Sequence, residues 1–111
     1  MANSLKRIKR ISKTQAIKNR IIARSKQSLI KEHGCCQICG NRSMLQLAHL
    51  LPKGRYPEYY LEQMNHALFC QECHELYDND IDFRQSQIWA YDKIRSFAPI
   101  EADKYFRINN F

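Results

Sequence analysis

Acidic residues are missing from the first 31 positions, which carry ten Lys and Arg and no Asp or Glu. Residues 32–111 hold eight basic and eleven acidic residues, so the excess behind the net charge of +7 sits entirely at one end. A segment charged this way attracts a polyanion by releasing counterions, an effect that is sequence-independent and strongly salt-dependent. Its plainer alternatives are a solvated helix, an acidic protein partner or an organelle transit peptide. Long apolar runs are also missing. No stretch approaches a membrane span, and the start, MANSLKRIKRISK, lacks the apolar block of a secretory signal. A soluble, cytoplasmic protein is the expectation.

A chain of 111 residues is about one domain with a small core, and domains of that size often need a covalent or metal staple. Five cysteines include two Cys-x-x-Cys pairs, Cys36/Cys39 and Cys70/Cys73. Without a secretory signal this spacing favours metal over disulfides, and two pairs thirty residues apart fit a tetrahedral four-thiolate zinc site better than a redox motif. Such a site contributes about 10 to 16 kcal/mol of apparent metal-binding energy to folding. Cys35 is the spare, a small packed residue or a substitute for Cys36.

Three regions follow one another. Ser12 with Gln15 fits a capping box, and Ile17, Ile21, Ile22, Leu29 and Ile30 recur at roughly helical spacing up to His33 and Gly34. Residues 1–34 therefore read as a basic helical arm, with Lys6, Arg7, Lys9, Arg10, Lys13, Lys18, Arg20 and Arg24 as candidate phosphate contacts. In residues 35–111, MLQLAHLL (44–51) and HALF (66–69) have the character of two short strands. The proline- and glycine-containing stretch between them reads as loop with one helical turn near 59–64, and the residues after Cys70 read as a short helix. A last helix spans 87–97, with Ile88, Trp89, Tyr91, Ile94 and Phe97 as apolar surface and Pro99 as its stop. The tail YFRINNF carries no readable chemistry.

A closed four-thiolate site has no open position, so its metal does no chemistry. His74 and Asp78, however, lie one turn apart on the expected helix and face the same way, a geometry in which two side chains grip one ion. One imidazole and one carboxylate suit zinc, manganese or nickel and accept magnesium. Taken alone, a pair at this spacing is more often a surface hydrogen bond.

CQIC, then LAHLLPKG, then MNHALFCQECHELYD resemble in order and spacing the HNH (ββα-metal) endonucleases, especially the zinc-stapled branch found in phages and bacteria. The resemblance covers residues 36 to about 80. It implies an α+β fold, a small ββα-metal core stapled by zinc and flanked by N- and C-terminal helices, and hydrolysis of DNA, expected to be double-stranded, in a bacterial or phage-infected cell. By resemblance His49 is the general base, Asn65 braces the loop that carries it, and His74 with Asp78 holds a catalytic divalent ion (Mg²⁺, Mn²⁺, Ni²⁺ or Zn²⁺). The chemistry is coherent: a neutral imidazole accepts a proton from water as that water attacks phosphorus, and a divalent ion stabilises the charge that develops. Lys53 and Arg55, after the base, are read as phosphate contacts or as solvated loop residues.

One position departs from the family pattern. The residue before the base is usually Asp or His and binds metal, but here it is Ala48. Gln46, two positions earlier on the same strand face, is one side chain that could approach instead. The alternative is a zinc-stabilised nucleic-acid-binding module with weak or no hydrolysis. His66 is expected on the strand face opposite Asn65, in a surface or packing role.

Overall fold

A computed structural model describes residues 12–108 of the chain. Among them are five α-helices and one two-stranded antiparallel sheet. Helix α1 (Lys13–His33) begins at Ser12, whose side chain accepts from the Gln15 N–H, and ends at Gly34 in the left-handed region at φ 68°. Only half of the capping box forms, because the Gln15 side chain donates to Asn19 instead of reaching back. The apolar stripe is also incomplete: Ile21, Ile22 and Leu29 are half-buried, while Ile17 and Ile30 remain exposed.

Strands β1 (Leu45–His49) and β2 (His66–Cys70) pair with Leu45 opposite Cys70 and His49 opposite His66. Directly opposed residues share a face of the sheet, and successive residues alternate. One face holds Gln46, Ala48, Ala67 and Phe69; the other holds Leu45, Leu47, His49, His66 and Leu68. The connection contains two single 3₁₀ turns, Pro57–Tyr59 and Gln63–Asn65, where one turn near 59–64 was expected. Helix α2 (Gln71–Asn79) follows β2 without a loop, since Cys70 ends the strand and caps the helix, its sulfur accepting from the Cys73 N–H.

Three short helices complete the chain: α3 (Ile81–Gln85), α4 (Ile88–Arg95) and α5 (Pro99–Phe106). Asp80 caps α3 through the Asp82 and Phe83 N–H groups. Pro99 does stop α4, but it also opens α5, where its missing N–H costs nothing and its fixed φ suits a first turn. The core lies between the Ala48/Phe69 face of the sheet and α2, α4 and α5, with Phe69, Tyr77, Ile94, Ala102 and Phe106 fully or almost fully buried. Trp89, Tyr91 and Phe97 pack against it, whereas Ile88, expected to do so, is 66% exposed. No helix among the described residues is long and apolar enough to cross a membrane.

Candidate metal centre and histidine cluster

The sulfurs of Cys36, Cys39, Cys70 and Cys73 all lie within 4.8 Å of one another, so the four could hold a structural metal such as zinc. Tetrahedral bonds of about 2.3 Å put sulfurs about 3.8 Å apart, and Cys39 and Cys70 stand at 3.7 Å. Each pair sits in a turn whose backbone aims N–H groups at sulfur: Ile38 at Cys36, Asn41 at Cys39 and Cys73 at Cys70, at 3.4–3.5 Å. The first turn closes through Gly40 at φ 81°, a conformation that glycine adopts without strain. Burial opposes ionisation of Cys36, but its N–H donors outweigh that and bring the thiol down to about 7. Burial dominates at Cys70 and Cys73 and raises both. Of the adjacent pair, Cys36 belongs to the cluster, and Cys35 stands half-buried outside it.

Asn65 is fully buried at the mouth of the hairpin. Its Oδ1 accepts from the Leu51 N–H at 2.7 Å, and its Nδ2 donates to the Leu51 and Tyr59 carbonyls at 3.1 Å each. Its own carbonyl takes the Leu50 N–H at 2.8 Å. Both ends of the connecting loop are thus tied to one amide. Asn65→Ala is expected to destabilise the chain by about 2–4 kcal/mol, because it leaves the Leu51 N–H and O buried without partners. A denaturant titration measures it; a loss below about 1 kcal/mol would show that the loop holds without the amide.

His49 Nε2 lies 3.2 Å from the Tyr60 carbonyl, and His66 Nε2 lies 2.8 Å from the same oxygen. A carbonyl only accepts, so both imidazoles carry their proton on Nε2. His66 Nδ1 then accepts from the Ser25 hydroxyl of α1 at 2.6 Å. No hydrogen-bond partner meets His49 Nδ1 among the described residues. The rings of His49 and His66 meet edge to face at 5.0 Å, and Tyr60 stacks on His49 at 5.0 Å with Lys53 above it at 4.5 Å.

His66 is completely buried, so of the two roles expected for it the packing one holds. The register sets it directly across from His49. Burial, with the His66 charge next, holds the His49 imidazole down to about 4. The sign follows by linkage: the unfolded chain takes up a proton near 6.5 while folded His49 refuses it until about 4. Its stabilising contribution is complete above 6.5 and lost as pH falls toward 4. On metal-loaded protein, the His49 ring resonance should titrate near 4 by NMR; a midpoint near 6.5 would mean that the ring is solvated.

On the other face of the sheet, His74 Nδ1 lies 2.7 Å from Gln46 Oε1, so Nδ1 donates and Nε2 keeps its lone pair. That Nε2 stands 3.4 Å from Asp78 Oδ2. Cis ligands on one octahedral ion at about 2.1 Å are separated by about 3 Å, so this donor pair fits a small divalent cation after slight closure. Burial raises the Asp78 carboxyl, against the opposing pull of His74 and Arg84. Ala48 is fully buried in the core and offers nothing to an ion. Gln46 supports His74 from behind, the kind of contact that fixes a ligand's tautomer.

Of the basic candidates, Lys6, Arg7, Lys9 and Arg10 lie outside the described residues. Lys13, Arg20 and Arg24 are exposed on one stripe of α1, and Lys18 is half-buried on another. Arg55 is exposed and packs over the rings of Tyr56 and Tyr105. No family model, no curated protein and no solved structure matches this chain.

Proposed function

We propose that the protein is a metal-dependent DNA endonuclease of the HNH (ββα-metal) type. The observation that carries this reading is the state of His49: neutral at physiological pH, with its proton fixed on Nε2 and Nδ1 left to accept another. It sits at the end of a strand whose following loop is held by Asn65, in a hairpin that runs directly into the helix bearing His74 and Asp78. In this reading His49 Nδ1 takes the proton of the attacking water, while Asn65 and the Tyr60 carbonyl keep the ring oriented. His74 Nε2 and the Asp78 carboxylate would hold a divalent ion, which supplies charge neutralisation at the scissile phosphate and at the departing 3′ oxygen. His49 and His74 arise on opposite faces of the hairpin. That placement puts the hairpin itself between the base and the ion pair, and it counts toward the second reading below.

The test is a plasmid assay. Metal-loaded protein with Mg²⁺, Mn²⁺ or Ni²⁺ should relax or linearise supercoiled DNA, and no conversion with any of the three ions would overturn the reading.

A second reading has its own observation. Ala48 is buried where the family pattern has a ligand, and Tyr60 covers one side of the His49 ring. These favour a metal-stapled nucleic-acid-binding module without hydrolysis, which would bind the plasmid and leave it supercoiled.

A further inference from the structure

Asp78, half of the candidate ion-binding pair, also lines a cleft of about 570 Å³ whose other charged residues are all cations: Arg55, Arg84, Lys104 and Arg107. Arg55, Lys104 and Arg107, with Asp103 among them, also line an adjoining hollow, so the two form one groove, three cations at its rim against one further carboxylate, across the face made by the loop after β1 and the end of α5. None of the three is contributed by the basic arm.

Two features mark this groove as more than a solvated patch. Arg84 forms its floor and is 93% buried by its 7% exposure, with its guanidinium donating to the carbonyls of Tyr77, Asp78 and Tyr105 and stacking 3.9 Å above the Tyr105 ring. Those partners are neutral, and no carboxylate lies within ion-pair distance of it among the described residues. Asp78 in the same cleft feels its charge without pairing with it directly. Arg107 occupies the left-handed region at φ 53°, a conformation unfavourable by about 1–2 kcal/mol for a residue with a Cβ. Glycine would end α5 more cheaply, yet an arginine stands there at the groove's rim.

We infer that this groove binds the phosphodiester backbone of a nucleic-acid strand, with Arg55, Lys104 and Arg107 contacting successive phosphates and Arg84 supplying fixed positive charge beneath them. The inference rests on the nucleic-acid reading above and deepens it, because Asp78 makes the groove continuous with the site where that strand would be cut. A polynucleotide is favoured over an acidic peptide for the same reason.

The test measures binding of a short DNA duplex to intact, metal-loaded protein without added divalent ion, across a salt series. The variant Lys104→Gln/Arg107→Asn removes two charges; asparagine tolerates the left-handed backbone, and an unchanged melting temperature verifies the fold. The control Arg42→Gln/Arg95→Gln removes two charges that do not line the groove. The groove variant should bind several-fold more weakly and flatten the log–log salt slope by about 1.8, at about 0.9 per lost contact, with the control unchanged. Equal loss in both variants, loss in neither, or failure of the wild type to bind duplex overturns the inference. So does binding of poly-glutamate that depends on Lys104 and Arg107 while duplex binding does not. The nuclease reading is scored separately: a flattened slope without plasmid cutting sinks the enzyme and keeps the groove, and cutting with an unaltered slope does the reverse.

Discussion

Stripping the metal with a chelator, or replacing Cys70 with serine, is expected to abolish cooperative unfolding altogether. Structural zinc sites contribute about 10 to 16 kcal/mol in small domains, whereas whole domains are stable by about 5 to 15 kcal/mol. A bound ion would thus match or exceed the net stability that a core of this size can supply. Cys70 is the most sensitive position because it ends β2, caps α2 and offers one of the four clustered sulfurs. Serine keeps a capping oxygen but loses the soft ligand. Elemental analysis should find one zinc per wild-type chain and less than that in Cys70→Ser, and calorimetry should show no transition in the chelated protein. Cys35→Ser, outside the cluster, should melt near the wild type. A metal-free chain with an unchanged transition would show that the cysteines are packing residues.

His49→Ala should lower plasmid cutting by about 10²- to 10⁴-fold, the usual contribution of a positioned base. The fold should survive, because His66 Nε2 still serves the Tyr60 carbonyl and Asn65 still holds the loop. Zinc content and duplex affinity are therefore expected to stay near wild type, which separates lost chemistry from lost structure. His74→Ala should behave differently: it removes a candidate ion ligand and leaves Gln46 without its partner, so raising the divalent-ion concentration should restore part of the activity. Full cutting by His49→Ala would remove that residue from the base role.

The parts that were legible in the sequence are those whose physics is local. Two Cys-x-x-Cys knuckles set their geometry within a few residues each, and short apolar runs marked both strands to within a residue or two. Glycine at 34 marked the end of α1 because its left-handed backbone favours that residue. That His66 packs beside His49 was not legible, because its neighbour in sequence, Asn65, belongs to a 3₁₀ turn and not to the strand. The partner across the sheet, His49, was the better reference, and it is a long-range fact. Helix α5 was hidden because Pro99 was read solely as a terminator, although proline also starts helices. Lys104 and Arg107 went unremarked with it. Arg84 carried no signal either, since its three acceptors are carbonyls of two helices, α2 and α5, that only folding brings together around it.

The cysteine cluster joins Cys39 to Cys70 across 31 positions of chain, and the hairpin fills that stretch up to Cys70, its last residue. A nascent polypeptide cannot complete that set until the segment through Cys73 has left the ribosome, and before then the first knuckle can hold an ion by only two sulfurs. Renaturation speed should therefore rise with free zinc concentration, with the last two thiolates arriving as the rate-determining event. A chain cut short before Cys70 would stay a coil at any zinc level.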